Sequence, residues 1–369
     1  MPQRTPLYEQ HVDAGGKVVD FAGWELPINY GSQVDEHHQV RRDAGMFDVS
    51  HMAHTVVSGG DATAFLRRLL ANDVAKLATD GRALYSCMLN EQGGVIDDLI
   101  VYRFADDRYR VISNAATREK DLAWMQSVAE GSDVDLMPVP GLAMLAIQGP
   151  QAVEKTLSTL SSALAAGGRA LARFQAFDGE DGFIARTGYT GEDGFELAVP
   201  AASAADTWQR LREAGVEPAG LGARDSLRLE AGMALYGNDL DDSVSPLESK
   251  LAWTVDFRDT ERDFIGRPTL EAQRRDGVSR QLVGLVLDAR GVLRGHQGIF
   301  EGDRQIGEIT SGGFSPTTGC SIALARLEHP CPDGLTVDMR GRQLPVNVVP
   351  FPFVKHGKST LNLNEESST

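Results

Sequence analysis

The chain has 369 residues, 42% of them hydrophobic and 24% charged. That balance can bury a core and excludes a disordered or fibrous chain. Its 36 Lys+Arg stand against 52 Asp+Glu, a formal net charge of -16, so nucleic acid and anionic membranes are disfavoured as partners. Any anionic ligand would need a local cluster of arginines. Three cysteines, Cys87, Cys320 and Cys331, with no C-x-x-C pair argue against a disulfide framework and a structural zinc site. The N-terminus lacks an apolar signal core and no apolar run approaches the roughly 18 residues of a spanning helix. The expectation is a soluble, cytoplasmic protein.

In chain order, Ser32 to Gly45 reads as a helix, with Ser32 as N-cap, Asp35 in the first turn and Gly45 as a stop. From Arg82 the pattern turns to strands, RALYSCML, VIDDLIVYRF and YRVIS, joined by the turns NEQGG and ADDR. A helix follows from about Thr117 to Glu130. LAMLAIQG reads as a short buried strand and GPQAVEKTLSTLSSAL as a helix. Residues 159–170, rich in Ser, Ala and Gly, read as a loose loop. FIART and FELAVP flank the loop GYTGEDG as strand, loop and strand, and two helices come next, over ASAADTWQRLREAG and GARDSLRLEAGMALYG. From about Arg280 to Val354 short strands recur roughly every eight to twelve residues, the spacing of a small all-β module. The fold class expected is α+β, and the irregular alternation of strands and helices disfavours a doubly wound parallel sheet.

Strand alternation in VIDDLIVY puts Val95, Asp97, Leu99 and Val101 on one face and Ile96, Asp98, Ile100 and Tyr102 on the other. Each acid therefore sits among apolar neighbours, where a bare carboxylate costs several kcal/mol. Such a residue marks a site or a satisfied structural acid, unless the strand is an edge with a wet face. In FELAV, Phe195, Leu197 and Val199 form an apolar face, and Glu196 points the other way with Ala198. A carboxylate there is either solvated or placed to receive two parallel N–H donors. The GYTGEDG loop precedes a strand rather than a helix, which disfavours dinucleotide binding; Tyr189 is either loop or a flat ring over a ligand. Arg224 and Arg228 share a helical face, and Arg228 either pairs with Asp225 or joins an anion site. His51 and His54 with Asp48 lack metal-ligand spacing, adjacent His37 and His38 point apart, and no metal is expected. Cys87 reads as core rather than nucleophile.

Taken together, TPLYEQH, VDFAGWELPINYGSQVDEHHQVRRDAGMFDVSHM, YSCMLNEQGGVIDDLIVYR, SNAATREKDL, GYTGEDGFEL, GLGARDSLRLEAGMALYGNDLD, RDFIG and TSGGFSPTTGCSIALA resemble the aminomethyltransferases, the T proteins of the glycine cleavage system. Their order and spacing extend over about residues 5–355. The resemblance implies transfer of the one-carbon unit from the aminomethyl-lipoyl arm of the H protein to tetrahydrofolate. The products are 5,10-methylenetetrahydrofolate, ammonia and dihydrolipoyl H protein. Tetrahydrofolate is then a co-substrate, the lipoylated H protein the partner, and no metal, nucleic acid or membrane is involved.

The implied fold has three domains arranged like a cloverleaf, with folate in the central opening. Residues 1–50 plus 140–245 would form a split, folate-binding first domain, 51–139 an inserted α+β second domain and 246–279 a connecting segment. Residues 280–360 would form a C-terminal β-barrel-like domain and 361–369 a frayed tail. By motif, Asp97 would be the essential carboxylate near folate N10. Tyr85, Asn114, Tyr189 and Tyr236 would line the folate site, Glu196 would receive the pterin edge, and Arg224 would be the arginine in that site. Arg294 matches a family arginine near the substrate channel. Some relatives carry a tyrosine shortly after P-F-V, where this chain has KHGK, so that folate contact would be lost or supplied by another group. Two rivals are a folate-dependent enzyme of the same fold, such as a demethylase, and a noncatalytic folate-binding scaffold. The scaffold branch carries a K-G-C-type loop, whereas TGYTGEDGFE here has neither Cys nor Lys.

Overall fold

Ser32 caps the helix Gln33–Arg42 in the computed structural model of the chain, its hydroxyl accepting from the Asp35 amide at 3.2 Å. The structure describes residues 2–361; the tail expected over 361–369 lies outside them from residue 362 onward. Among the described residues no helix is long and apolar enough to cross a membrane.

Two sheets are interleaved in the chain. The first runs Ala176–Gly179, Gly182–Ala185, Gly194–Pro200, Leu142–Gln148, Gly45–Asp48 and Glu217–Pro218 in spatial order. Gly45–Asp48 pairs antiparallel with Leu142–Gln148, so this sheet closes across the long intervening segment. That segment builds the second sheet, in the order Ala83–Leu89, Val95–Ala105, Arg108–Ser113, Ala53–Ser58 and Asp135–Pro138, antiparallel throughout. Near the N-terminus Gln3–Arg4, Trp24–Asn29 and Lys17–Phe21 form a small sheet. From Arg280 to Val349 six strands close into a barrel, which removes exposed sheet edges.

Alternation decides which faces are buried. Phe195, Leu197 and Val199 pack with Leu145, Ile147 and Trp208, while Ala198 on the opposite face joins Phe47 and Phe183. The helix Ala204–Glu213 buries Ala204, Thr207, Trp208 and Leu211 against this core, the i, i+3, i+4, i+7 stripe of an amphipathic helix. Each large apolar side chain so buried contributes about 1.5–3 kcal/mol.

Two expectations are corrected. Residues 159–170 are not a loose loop: the helix Ala152–Thr159 ends at extended Leu160, and a second helix spans Ser162–Ala170. Ser161 caps it, Leu164 and Gly168 are buried, and its glycines are contact points. A Cβ on Gly167 would lie 2.4 Å from Phe177 and one on Gly168 2.9 Å from Leu157. Small residues there permit close packing. The strand Val95–Ala105 also departs from strict alternation at its start. Met88 pairs with Asp97 and Leu89 with Val95, leaving Ile96 as an extra bulged residue. Val95 consequently packs with Leu240 and Phe264, away from Leu99 and Val101, which lie with Ile96.

Candidate active site

A cavity of about 1740 Å³ opens where both interleaved sheets, the N-terminal sheet and the barrel meet. Tyr85, Asp98 and Asn114 come to it from the second sheet, Glu196 from the first, Arg224 from the helix Leu221–Glu230, and Arg294 from the barrel. Tyr189 and Tyr236 reach it from loops.

Asp97 does not. It is fully buried, and its carboxylate accepts from the Asn114 amide N at 3.0 Å and from Asn114 Nδ2 at 2.8 Å. Of the two adjacent acids, Asp98 is the one on the cavity wall. Alternation correctly separates the two acids, but it is Asp98 that faces inward. Asp98 Oδ2 accepts from the Tyr85 hydroxyl at 2.9 Å and Oδ1 from Asn114 Nδ2 at 3.0 Å. Burial, and then the neighbouring Asp97 charge, push the Asp98 carboxyl up to about 7 despite these donors. Asp98 can therefore gain or lose a proton near neutrality.

On the wall formed by the first sheet, Glu196 accepts from Thr187 Oγ1 at 2.5 Å. The Arg224 guanidinium sits 5.0 Å from the Tyr189 ring centroid, and its Nη1 is buried without a hydrogen-bond partner. Burial pulls the Arg224 pKa down, and Glu196 opposes that effect. The Tyr189 hydroxyl is committed to the Ala234 carbonyl. That of Tyr236 accepts from Lys120 Nζ at 2.7 Å and faces the Val95 carbonyl at 3.1 Å. Both hydroxyls are thus engaged within the protein, and both side chains line the cavity. A carboxylate, an unsatisfied guanidinium N–H and flat rings suit a planar heterocycle with its own donors and acceptors.

The family model described as the GCVT N-terminal domain matches residues 7–259, and that of the glycine cleavage T-protein C-terminal barrel domain matches residues 280–355. The chain belongs to the glycine cleavage T-protein family. It is 56% identical to an aminomethyltransferase of Pseudomonas syringae pv. tomato over 361 residues, 98% of this chain and 100% of that one. An aminomethyltransferase of Xanthomonas oryzae pv. oryzae is 54% identical over 364 residues, 97% of this chain and 98% of the relative. The solved aminomethyltransferase T of the glycine cleavage system from Bartonella henselae superimposes with a TM-score of 0.91 at 35% identity, covering 97% of this chain and 99% of that one.

Other residues of this T-protein chain divide into structure and site. Arg228 is an internal brace: it binds Asp225 at 2.8 Å, Asp239 at 2.9 Å and Ser311 at 2.9 Å, joining its helix to the barrel. Its guanidinium is thus committed to partners within the protein. Asp48 is occupied by His11 at 2.8 Å and Thr5 at 2.6 Å. Burial drives His51 down to about 4 and His54 to about 3, so both are neutral. No group of three metal-type ligands converges among the described residues. Cys87 is buried, and burial pushes its thiol far up. At the C-terminus Val354–Lys355 and Lys358–Ser359 form a small hairpin, and the cavity is lined there by Val348–Phe351 instead.

Trp253 was not singled out by the sequence. It is 64% exposed at the cavity, and its ring stacks on Tyr85 at 5.7 Å. A lone Trp in an unpatterned segment gives no periodic signal; its exposure emerges only with the fold.

Proposed function

We propose that this chain transfers the one-carbon unit of the aminomethyl-lipoyl H protein to tetrahydrofolate. The products are 5,10-methylenetetrahydrofolate, ammonia and dihydrolipoyl H protein. The observation that carries the reading is Asp98, a carboxyl held by Tyr85 and Asn114 on the wall of a cavity whose other walls suit a planar heterocycle. Tetrahydrofolate, when bound, supplies the nucleophilic nitrogen that accepts the carbon.

The chain's own groups then have distinct tasks. Glu196 receives N–H donors from the pterin edge, and the unpaired Arg224 Nη1 donates to an acceptor on the ligand. Tyr189 and Tyr236 confine the ligand with their ring faces, which is positioning. Asp98 in its ionised form orients the folate, stabilises positive charge developing at the transferred carbon and assists proton movement. Asn114 and Tyr85 fix its two oxygens, so little reorganisation is needed. Arg294 stands on the barrel side of the cavity as a cation for the arriving arm.

We read residues 1–50 plus 140–245 as the folate-binding domain, 51–139 as the inserted domain, 246–279 as the connection and 280–360 as the barrel domain. The sheet pairing Gly45–Asp48 with Leu142–Gln148 supports the split. A cytoplasmic location without metal, nucleic acid or membrane partner fits the composition. The test mixes purified chain with aminomethyl-loaded H protein and tetrahydrofolate and follows both products. Folate-dependent, equimolar ammonia and methylenetetrahydrofolate are expected. Tight folate binding without turnover on loaded H protein would overturn the reading.

A further inference from the structure

Behind Asp98 lies a second buried acid that the reaction as described does not use. Asp121, on the helix Arg118–Ala129, is 1% exposed, and neither of its carboxyl oxygens receives a hydrogen bond. Its side chain reaches the Asp97 carboxyl. Asp97 is itself 0% exposed, and its known donors both come from Asn114. The same Asn114 Nδ2 also donates to Asp98 at 3.0 Å. Asp121, Asp97, Asn114, Asp98 and Tyr85 thus form one continuous polar chain from the helix to the cavity.

The charges in this chain do not balance if all three acids are ionised. The groups facing them are Tyr85 and Cys87 on the adjacent strand, Ser113 and Thr117 beside Asp121, and the Tyr189 and Tyr236 rings. No cation forms an ion pair with Asp97, Asp98 or Asp121 among the described residues. Lys120, next to Asp121 in sequence, turns to Tyr236 and Asp242. Two buried carboxylates in contact without a cation or a donor between them repel strongly, and the arrangement is stable only with a proton between them. Asp121 is the one that holds it: Asp97 accepts from Asn114 at 2.8 and 3.0 Å, whereas the Ser113 and Thr117 hydroxyls lie beside Asp121 without completing a hydrogen bond to it. Burial, and next the Asp97 charge, hold the Asp121 carboxyl well above the usual range, against a smaller pull from Ser113 and Thr117.

We propose that Asp121 and Asp97 share a single proton behind the cavity wall, and that the pair is a positioning device for the reaction. It aims the Asn114 amide at Asp98 and keeps one negative charge beside it. This rests on the reading of Asp98 as the acid of the site. The Asp121 O–H donates to Asp97, Asp97 accepts from both Asn114 donors, and Asn114 passes the constraint to Asp98. The retained Asp97 charge makes Asp98 reluctant to ionise, so its proton comes and goes near neutral pH. Without that like charge Asp98 would ionise at lower pH, with burial alone still holding it above the ordinary carboxylate range.

Infrared spectroscopy of the full chain tests this without turnover. The native chain at neutral pH is expected to show a protonated-carboxyl band that Asp121→Asn removes. The Asp98 titration is identified as the carboxyl signal lost in Asp98→Asn. In Asp97→Asn it should move to lower pH by about one unit, a tenfold drop in proton affinity from removing one like charge. The acid limb of kcat should move with it. If Asp121→Asn retains every protonated-carboxyl band of the native chain, the shared proton is wrong. If the Asp98 titration stays in place in a folded Asp97→Asn, the tuning is wrong; should that variant not fold, the Asp121→Asn spectrum decides alone. The bands are read whether or not the chain turns over, so failure of the aminomethyl-transfer reading is seen separately.

Discussion

The Tyr85 hydroxyl donates to Asp98 Oδ2 at 2.9 Å, and the same tyrosine stacks on the exposed Trp253 at 5.7 Å. One side chain therefore both holds the cavity acid and carries the apolar rim of the opening. The Tyr85 hydrogen bond favours ionised Asp98, and burial opposes it.

Tyr85→Phe removes a donor to the charged form, so the Asp98 pKa must rise above about 7. If ionised Asp98 is the working form, the acid limb of the kcat profile moves to higher pH. A pH–rate series on the variant checks the direction; a shift to lower pH contradicts it.

Glu196→Gln keeps the shape of the wall and removes its charge. A hydrogen bond to a charged group is worth about 1.5–3 kcal/mol, so KM for tetrahydrofolate should rise roughly 10- to 100-fold. The kcat should change much less. Steady-state kinetics with varied folate separates the two.

Glu230 ties the helix Leu221–Glu230 to the barrel and to the helix Gln33–Arg42. It accepts from Ser315 at 2.6 Å and Arg41 at 2.8 Å and faces His37 at 3.2 Å. Burial pushes its carboxyl up, but His37, Arg41 and Ser315 outweigh burial and bring it down to about 2. A depressed carboxylate stabilises the fold fully above its unfolded value, and the contribution disappears as pH falls through the folded one. Thermal stability should therefore decline between about pH 4.5 and 2 through this group. Glu230→Gln should cost about 3–5 kcal/mol at neutral pH and flatten that decline in a melting series.

Gly94→Ala tests the turn that positions the second sheet against residues 241–244. A Cβ at Gly94 would lie 1.8 Å from the Asp242 carbonyl oxygen, so backbone must shift. Denaturant unfolding should show a loss of about 1–3 kcal/mol. An unchanged midpoint would contradict the tight approach.

Much of this architecture is legible in local pattern. The capped helix after Ser32, the alternation in FELAV and the short strands after Arg280 all follow from period and punctuation, because each is decided within a few residues. The helix Ser162–Ala170 is not legible this way, since Gly167 and Gly168 there permit close contacts with Phe177 and Leu157 that only the fold brings near. Of the two adjacent acids, alternation separates Asp97 from Asp98 but cannot tell which face becomes cavity; that depends on packing from remote elements. Arg228 is half legible: its pair with Asp225 is local and follows from helical spacing, whereas Ser311, 83 residues on, is brought to it only by the fold.

The most direct measurement is single-turnover ammonia release from aminomethyl-loaded H protein in Asp98→Asn, with folate affinity measured alongside. A loss of about 10²–10⁴-fold in rate is expected, with folate still bound and the chain still folded. Near-native turnover in Asp98→Asn would contradict it and return the search for the working acid to the rest of the cavity.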